Sequence, residues 1–331
     1  MKKVIDELHK IGIIPVVSIE DAVHARALGK ALIEGGLPCV EVILNSKAAE
    51  DTIRILVKEF PEMVVGAGTI LTTEQVDVAI SLGVKFLISP GLNPKIVKYC
   101  TNKKIPIIPG CSSPTDIEQA IELGLKVVNF FPAQAGGGLP IIQAISAPYP
   151  DIKFIPTGGI NGDSLNTYLD CRKVVACAGS WIVKADLIEA GNFEAITLLA
   201  KEAVRKMLGF ELRHIGINAK DEDDAKTTAK SFADMFGLEQ RQMAASIFVG
   251  TAFEVMKGPY HGTHGHIAVR TNFIDRAVYQ MERMGYVFNM DTMKFDPNGS
   301  LATIYLLNEI NGFAIHLVQR KPNEQLECKM L

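Results

Sequence analysis

Residues Cys39–Thr69 read CVEVILNSKAAEDTIRILVKEFPEMVVGAGT. The apolar run Cys39–Leu44 gives way to a helical pattern over Ala48–Phe60 and then to a second β-branched run, Met63–Thr69. A strand, a helix and a strand in such close succession form a crossover unit, which pairs the two strands in parallel through a right-handed connection. The alternation extends in both directions. Working outward, the further runs are Ile13–Ser18, Lys85–Pro90, Pro106–Cys111, Lys126–Ala133, Lys153–Gly158 and Val174–Ser180, with helical stretches such as Asp21–Gly35, Thr72–Gly83 and Pro114–Gly124 between them. In Thr72–Gly83 the apolar Val76, Ala79 and Ile80 recur at the spacing of one helix face. Gly35, Gly83 and Gly124 stand where a left-handed residue closes a helix without a Cβ clash. The runs are nearly continuous in apolar residues, as strands covered on both faces are.

Eight such units within about 200 residues predict a closed (β/α)8 TIM barrel near the lower limit of its size, with a doubly wound open sheet as the competitor. So economical a barrel has little loop to spare for a lid, which places chemistry on strand ends. The pattern changes at Leu208–Arg213. Beyond it come a strand over Leu212–Ala219, a helix over Asp224–Phe236, and strands near Glu239–Ala244, Ser246–Val249 and Thr251–Lys257. After the Gly/His linker Gly258–Gly265 the order repeats: strand His266–Thr271, helix Phe273–Gly285, strands near Tyr286–Asn289, Ser300–Leu307 and Gly312–Arg320. The chain is therefore expected to hold a barrel over residues 1–209 and a smaller α+β domain of two βαβββ repeats over residues 210–331.

Length and composition agree with two globular domains: 331 residues, 48% hydrophobic and 21% charged. A net charge of −3 is too small to draw the chain onto nucleic acid or anionic lipid. The longest uncharged segment, Val127–Pro150, is broken by four prolines and by Gly136–Gly138, so it is no membrane helix. Asp6 and Glu7 exclude a signal-peptide core. Six scattered cysteines (Cys39, Cys100, Cys111, Cys171, Cys177, Cys328) without framework spacing read as reduced residues, and the expected location is cytoplasmic.

Reading the carboxyl ends of the barrel strands gives Glu41 with Asn45, Gly66–Thr69, Ser89–Gly91, Asn129 with Phe131, Thr157–Ile160, and Gly179–Ser180. Gly158, Gly159 and Gly179, with Ser180, follow strands seven and eight, where backbone N–H groups approach a phosphate or carboxylate. One glycine pair alone is equally a tight turn. Glu41 sits mid-strand among apolar neighbours; such an acid is either a structural group bonded to donors or one whose raised pKa suits proton transfer.

The series Val40–Leu44, Val65–Thr69, Ile88–Gly91, Ile107–Gly110, Phe130–Ala133, Pro156–Ile160 and Gly179–Trp181 resembles the bacterial 2-keto-3-deoxy-6-phosphogluconate / 4-hydroxy-2-oxoglutarate (KDPG/KHG) aldolases, over roughly residues 1–207. The resemblance implies a homotrimeric class I aldolase that cleaves a 2-keto-3-deoxy acid into pyruvate and an aldehyde. It assigns Glu41 as acid/base, Thr69 and Thr157 to the pyruvate carboxylate, Pro90 and Phe131 to the pocket wall, and Gly158, Gly159 and Ser180 to phosphate. Two positions depart from the pattern. Asn129 stands where the family keeps its Schiff-base lysine, and an amide nitrogen is no nucleophile toward a ketone. Asn45 stands where the family keeps an arginine, which removes a bidentate grip on a carboxylate. Lys85, Lys126 and Lys153 open their strands at the wrong end. Lys47, two residues past Asn45, is expected to restore part of the lost positive charge. Asn129 can still hydrogen-bond a keto oxygen.

In the second domain His214 and His266 occupy the first strands of the two repeats, and Glu254 and His316 the last. Imidazoles and a carboxylate at matching places in two copies suit Zn²⁺, Ni²⁺, Mn²⁺ or Fe²⁺. A lone strand histidine is more often a core residue; four at symmetric positions point to metal. Residues 211–321 resemble the vicinal-oxygen-chelate (glyoxalase-like) superfamily, with His316 where that family usually has Glu. His261 and His264, in the linker, read as solvated. Three functions follow: a carbon–carbon lyase of the aldolase type acting on a small 2-oxo acid or sugar-acid phosphate; a metal-dependent enzyme working through the C-terminal domain; or a barrel that binds or scaffolds without catalysis.

Overall fold

The computed structural model of the chain describes residues 2–321; Cys328 lies outside them. The chain divides into two compact units, the first ending at Met207 and the second beginning at Leu208.

In the first unit the strands are β1 (Ile13–Val17), β2 (Cys39–Ile43), β3 (Val64–Gly68), β4 (Phe86–Ser89), β5 (Ile107–Pro109), β6 (Val127–Phe130), β7 (Lys153–Pro156) and β8 (Cys177–Gly179). They alternate with α1 (Lys2–Ile11), α2 (Ala25–Glu34), α3 (Lys47–Glu59), α4 (Thr73–Ser81), α5 (Pro94–Asn102), α6 (Pro114–Glu122), α7 (Gly138–Ser146), α8 (Leu165–Leu169) and α9 (Ala185–Glu189), and α10 (Phe193–Leu208) follows. All the ladders are parallel. Six strands pair in the order β5-β4-β3-β2-β1-β8 and two as β6-β7. Single parallel bridges, Gly110 to Asn129 and Thr157 to Ala178, carry the order from β5 to β6 and from β7 to β8. The sheet therefore curls round until β8 pairs back on β1, Ile13 opposite Cys177. The paired segments are shorter than the apolar runs that announce them: Lys126–Ala133 contributes Val127–Phe130 to a ladder, and Val174–Ser180 contributes Cys177–Gly179. Val174, Val175 and Ala176 are buried ahead of β8 without belonging to it, so apolarity overstates strand length.

Local signals start the helices. Ser46, Thr72 and Ser113 cap α3, α4 and α6 by accepting the backbone N–H three residues on, the last two in reciprocal capping boxes with Gln75 and Asp116. Such a cap stabilises its helix by about 1 kcal/mol. Gly83 and Gly124 end α4 and α6 at φ +85° and +77° as expected. Gly35 does not: its φ is −76°, and Gly36 takes the left-handed position at +83°. A Cβ on Gly35 would collide with that of Ala200 on α10, so this glycine is there for close helix packing.

The second unit runs β9 (Glu211–Asn218), α11 (Glu222–Phe236), β10 (Gln240–Gln242), β11 (Ser246–Val249), β12 (Phe253–Met256), then β13 (Gly265–Thr271), α12 (Ile274–Arg283), β14 (Phe288–Phe295), β15 (Leu301–Leu306) and β16 (Phe313–Gln319). Its eight strands form one sheet ordered β10-β11-β12-β9-β13-β16-β15-β14. β9 and β13 meet antiparallel at the centre, while β12 lies parallel to β9 and β16 parallel to β13. The registers match across this centre. Glu254 lies opposite Gly216, two residues past His214; His316 lies opposite Ala268, two residues past His266. Ala225 and Ala229 of α11 pack on Ile247, Val249 and Val255 of the sheet, forming a small core.

Among the described residues no helix is long and apolar enough to cross a membrane. Cys39, Cys100, Cys111, Cys171 and Cys177 are free thiols.

Candidate functional site

In the first unit Glu41 is 4% exposed, and its Oε2 has no hydrogen-bond partner. Burial pushes its carboxyl up to about 8, because no nearby cation offsets the loss of water. The register sets Gly66 opposite Glu41. A Cβ on Gly68 would run into the Glu41 carboxylate, and one on Gly66 into the Phe86 ring, so Gly68 clears the space the acid occupies and Gly66 the space of the ring. Thr69 follows at φ +59°, a strained conformation for a β-branched residue that costs on the order of 1–3 kcal/mol. Such strain persists only where surrounding structure imposes it.

Asn129 is 2% exposed on β6, bridging Gly110 and paired with Ile155. Its main-chain oxygen accepts from Cys111 N–H at 2.8 Å, while its side-chain Oδ1 has no partner. Thr157 Oγ1, past the end of β7, is likewise buried and unpartnered. Phe131 and Pro90 are exposed at the ends of β6 and β4. Gly158 and Gly159 are left-handed at φ +99° and +80°, and Gly158 O accepts from Gln134 N–H. Gly179 is buried against Trp181, whose ring a Cβ there would meet at 2.6 Å, and Ser180 is exposed. Three buried polar atoms on β2, β6 and the end of β7 thus await partners.

No lysine is buried among the described residues of the first unit. Lys85, Lys126 and Lys153 are exposed at the amino ends of β4, β6 and β7. Lys47 opens α3, and its ammonium lies 2.8 Å from Glu50 and 3.6 Å from Asp51, which hold its charge on its own helix. Asn45 and Lys47 line a cleft of about 380 Å³ with Leu44, Ser46, Glu74 and Gln75. Gln75 braces it, donating to Leu44 O and accepting from Leu71 N–H.

The second unit brings its four singled-out residues together. His214 Nε2, His266 Nε2 and Glu254 Oε2 form a triangle with sides of 3.1, 3.1 and 3.3 Å. The centre of such a triangle lies about 1.8 Å from each corner, close to the roughly 2.0–2.1 Å of a metal–nitrogen bond. His316 adds a third imidazole, with one nitrogen of each ring within 4.8 Å of the others. Both His316 nitrogens and His266 Nδ1 are buried without partners. An unpartnered, buried nitrogen of His316 beside a triangle of ligand-type atoms fits a divalent cation. Two adjacent rows of the sheet supply the set: Glu254, Gly216 and His266 in one, His214, Ala268 and His316 in the next. The small residues make room, since a Cβ on Gly216 would strike the His266 ring.

Burial opposes ionisation of Glu254, but hydrogen bonds from His214, His266 and Ser246 outweigh it and hold the carboxyl well below the usual range. Burial, with His266 and His214 alongside, brings His316 down to about 3, so it is uncharged at neutral pH. Sequence reasoning missed the surround. Ser246 Oγ donates to Glu254 Oε1 at 2.7 Å. Tyr305 lies flat on His316, rings 4.4 Å apart at 7°, and burial raises its phenol well above the ordinary value. His261 is exposed yet rests its ring on Tyr305 at 4.4 Å; His264 is exposed beside Phe313. A tyrosine inside an apolar strand was the available signal for Tyr305, but its facing partner depends on register.

Comparison with known proteins covers the first unit. A family model described as KDPG and KHG aldolase matches residues 4–199. A 2-dehydro-3-deoxy-phosphogluconate aldolase of Treponema pallidum is 40% identical over 205 residues, 62% of this chain and 98% of the relative. A KHG/KDPG aldolase of Escherichia coli is 42% identical over 192 residues, 58% of this chain and 90% of the relative. Among solved structures, the KDPG aldolase of Legionella pneumophila, with pyruvate captured as a covalent carbinolamine, is 34% identical with a TM-score of 0.58, covering 60% of this chain and 97% of that one.

Proposed function

The chain belongs to the KDPG and KHG aldolase family over residues 4–199, and from that premise we propose that its first unit binds a 2-oxo acid or sugar-acid phosphate without forming an imine, while its chemistry runs at a divalent-metal centre in the second. The observation that carries this is the convergence of His214, His266 and Glu254 within 3.3 Å of one another, beside His316. The opposite condition holds in the first unit, where Asn129 is buried and no described lysine is. A carbinolamine such as the Legionella enzyme carries is an adduct of an amine on a carbonyl, and a carboxamide does not supply one.

In this reading the curled sheet is a closed (β/α)8 barrel, and β2 and β6 face each other across it. Glu41, neutral near pH 7, then donates a hydrogen bond to a bound oxygen, and the Asn129 amide donates another to a keto oxygen. Thr69 and Thr157 take the carboxylate, Pro90 and Phe131 wall the pocket, Gly158, Gly159, Gly179 and Ser180 hold a phosphate, and Asn45 and Lys47 form the rim. The barrel assembles as a trimer, as its resemblance implies. The second unit is a glyoxalase-like module whose His214, Glu254, His266 and His316 hold Zn²⁺, Ni²⁺, Mn²⁺ or Fe²⁺. A divalent ion bound there supplies Lewis-acid polarisation of adjacent substrate oxygens. Ser246 fixes Glu254 Oε1 and leaves Oε2 for the centre, while uncharged His316 keeps a lone pair free to ligate. The protonated Tyr305 phenol is a hydrogen-bond donor beside it.

Elemental analysis of the purified full chain tests this: about one divalent ion per chain is expected, and a chain that takes up none under any of the four metals contradicts it. Glu41 favours a second reading, because a carboxyl titrating at about 8 suits general acid–base work in a lyase. Pyruvate release from a phosphorylated 2-keto-3-deoxy acid by metal-stripped protein would support that reading over the first.

A further inference from the structure

The face of the second sheet that carries the imidazoles continues past them. Tyr305 is opposite His316; one same-face step along, Thr303 is opposite Val318, and Lys294 on β14 is opposite Thr303. Lys294 is thus one step along the strands and two strands across from His316, at a point where the β14 register shifts on either side of it. Its ammonium is close enough to act electrostatically on both His316 and His261. It is exposed, and among the described residues no carboxylate lies within ion-pair distance of it. Arg270, in the same row on β13, differs: its guanidinium is 2.5 Å from Glu211, and that charge is already matched. Beside the imidazoles stand Tyr305 and, on it, the ring of His261, which hangs from a loop that Asn218 pins by donating to Gly262 O at 2.7 Å.

Charge decides what this part of the sheet takes. Three imidazole ligands and one carboxylate leave a divalent ion with a positive surplus, and Lys294 adds a second unmatched positive charge. A neutral ligand leaves both unmatched; a ligand with an anionic end answers Lys294 while its oxygens approach the centre and the Tyr305 phenol. We propose that Lys294 anchors the anionic group, carboxylate or phosphate, of the small molecule that meets the His214–Glu254–His266–His316 centre. This inference rests on the metal reading above.

The test uses full-length protein loaded with Co²⁺, whose visible bands report ligands at the centre alone and ignore anything bound in the first unit. Pyruvate, inorganic phosphate and ethylene glycol are titrated into the wild type, Lys294→Ala and Lys294→Arg. The expected result is that pyruvate or phosphate perturbs the bands, the responding anion identifying the group taken. Its Kd rises at least about tenfold in Lys294→Ala and returns to within about threefold in Lys294→Arg, with Co²⁺ stoichiometry unchanged. Glycol is expected to leave the bands as they are. Anion binding equal in wild type and Lys294→Ala, or a response to glycol but to neither anion, overturns the anchor alone. Failure of the wild type to bind Co²⁺ overturns the metal reading and the anchor with it.

Discussion

Glu41 and Glu254 are both carboxylates on β-strands largely withdrawn from water, and burial drives them in opposite directions. Glu41 has an unpartnered oxygen and no cation beside it, and rises to about 8. Glu254 accepts from two imidazoles and a serine hydroxyl and falls below the usual carboxylate range despite its desolvation. Desolvation alone makes an acid neutral; desolvation among donors keeps it an anion. The first arrangement suits a group that gives or shares a proton. The second suits a ligand for a cation. One chain holds both, so membership of an aldolase family in one unit does not by itself decide where its chemistry is done.

That contrast breaks most directly at His266. His266→Ala removes one corner of the triangle and is expected to weaken metal affinity about 100-fold or more while leaving the first unit untouched; competition against a chromogenic chelator measures it. Gly216→Ala is a subtler cut, because every ligand stays and only the space beside His266 is taken. About a tenfold loss of affinity is expected by the same assay. If Gly216→Ala binds metal as well as the wild type, the ring position inferred for His266 is wrong.

A pH series sharpens the other side. The folded pKa of Glu41, about 8, lies above its ordinary value of 4.5. Its contribution to stability is complete below about 4.5 and is lost as pH rises through 8. Glu41→Gln stays neutral throughout. The variant should therefore gain on the wild type by about 1.4 kcal/mol per pH unit between those limits. Denaturant melts at pH 5 and pH 8 check this, and a constant difference between the two proteins would mean that Glu41 is ionised in the fold.

Much of this was legible in the residues, for physical reasons that also mark where legibility stopped. Parallel strands buried on both faces must be continuously apolar, so the crossover units announce themselves, and the curled parallel sheet follows from their order. Gly35 and Gly36 are chemically identical, and only the approach of Ala200 tells which one closes α2 and which one packs. The strain at Thr69 was invisible, since nothing in a sequence marks a β-branched residue held at φ +59°. In the second unit the repeat placed His214, Glu254, His266 and His316 at matching points. Tyr305 and Lys294 stayed hidden because a one-residue slip in register turns every side chain of a strand to the other face.

The central claim is that Asn129, and no buried lysine, occupies the first unit where imine formation needs an amine. Incubating the full chain with pyruvate and borohydride, then measuring intact mass, tests it directly, with Asn129→Lys as the variant that restores an amine. No pyruvyl adduct is expected on the wild type, and a covalent adduct is expected on Asn129→Lys. A reduced pyruvyl adduct on any lysine of the wild-type first unit would contradict it.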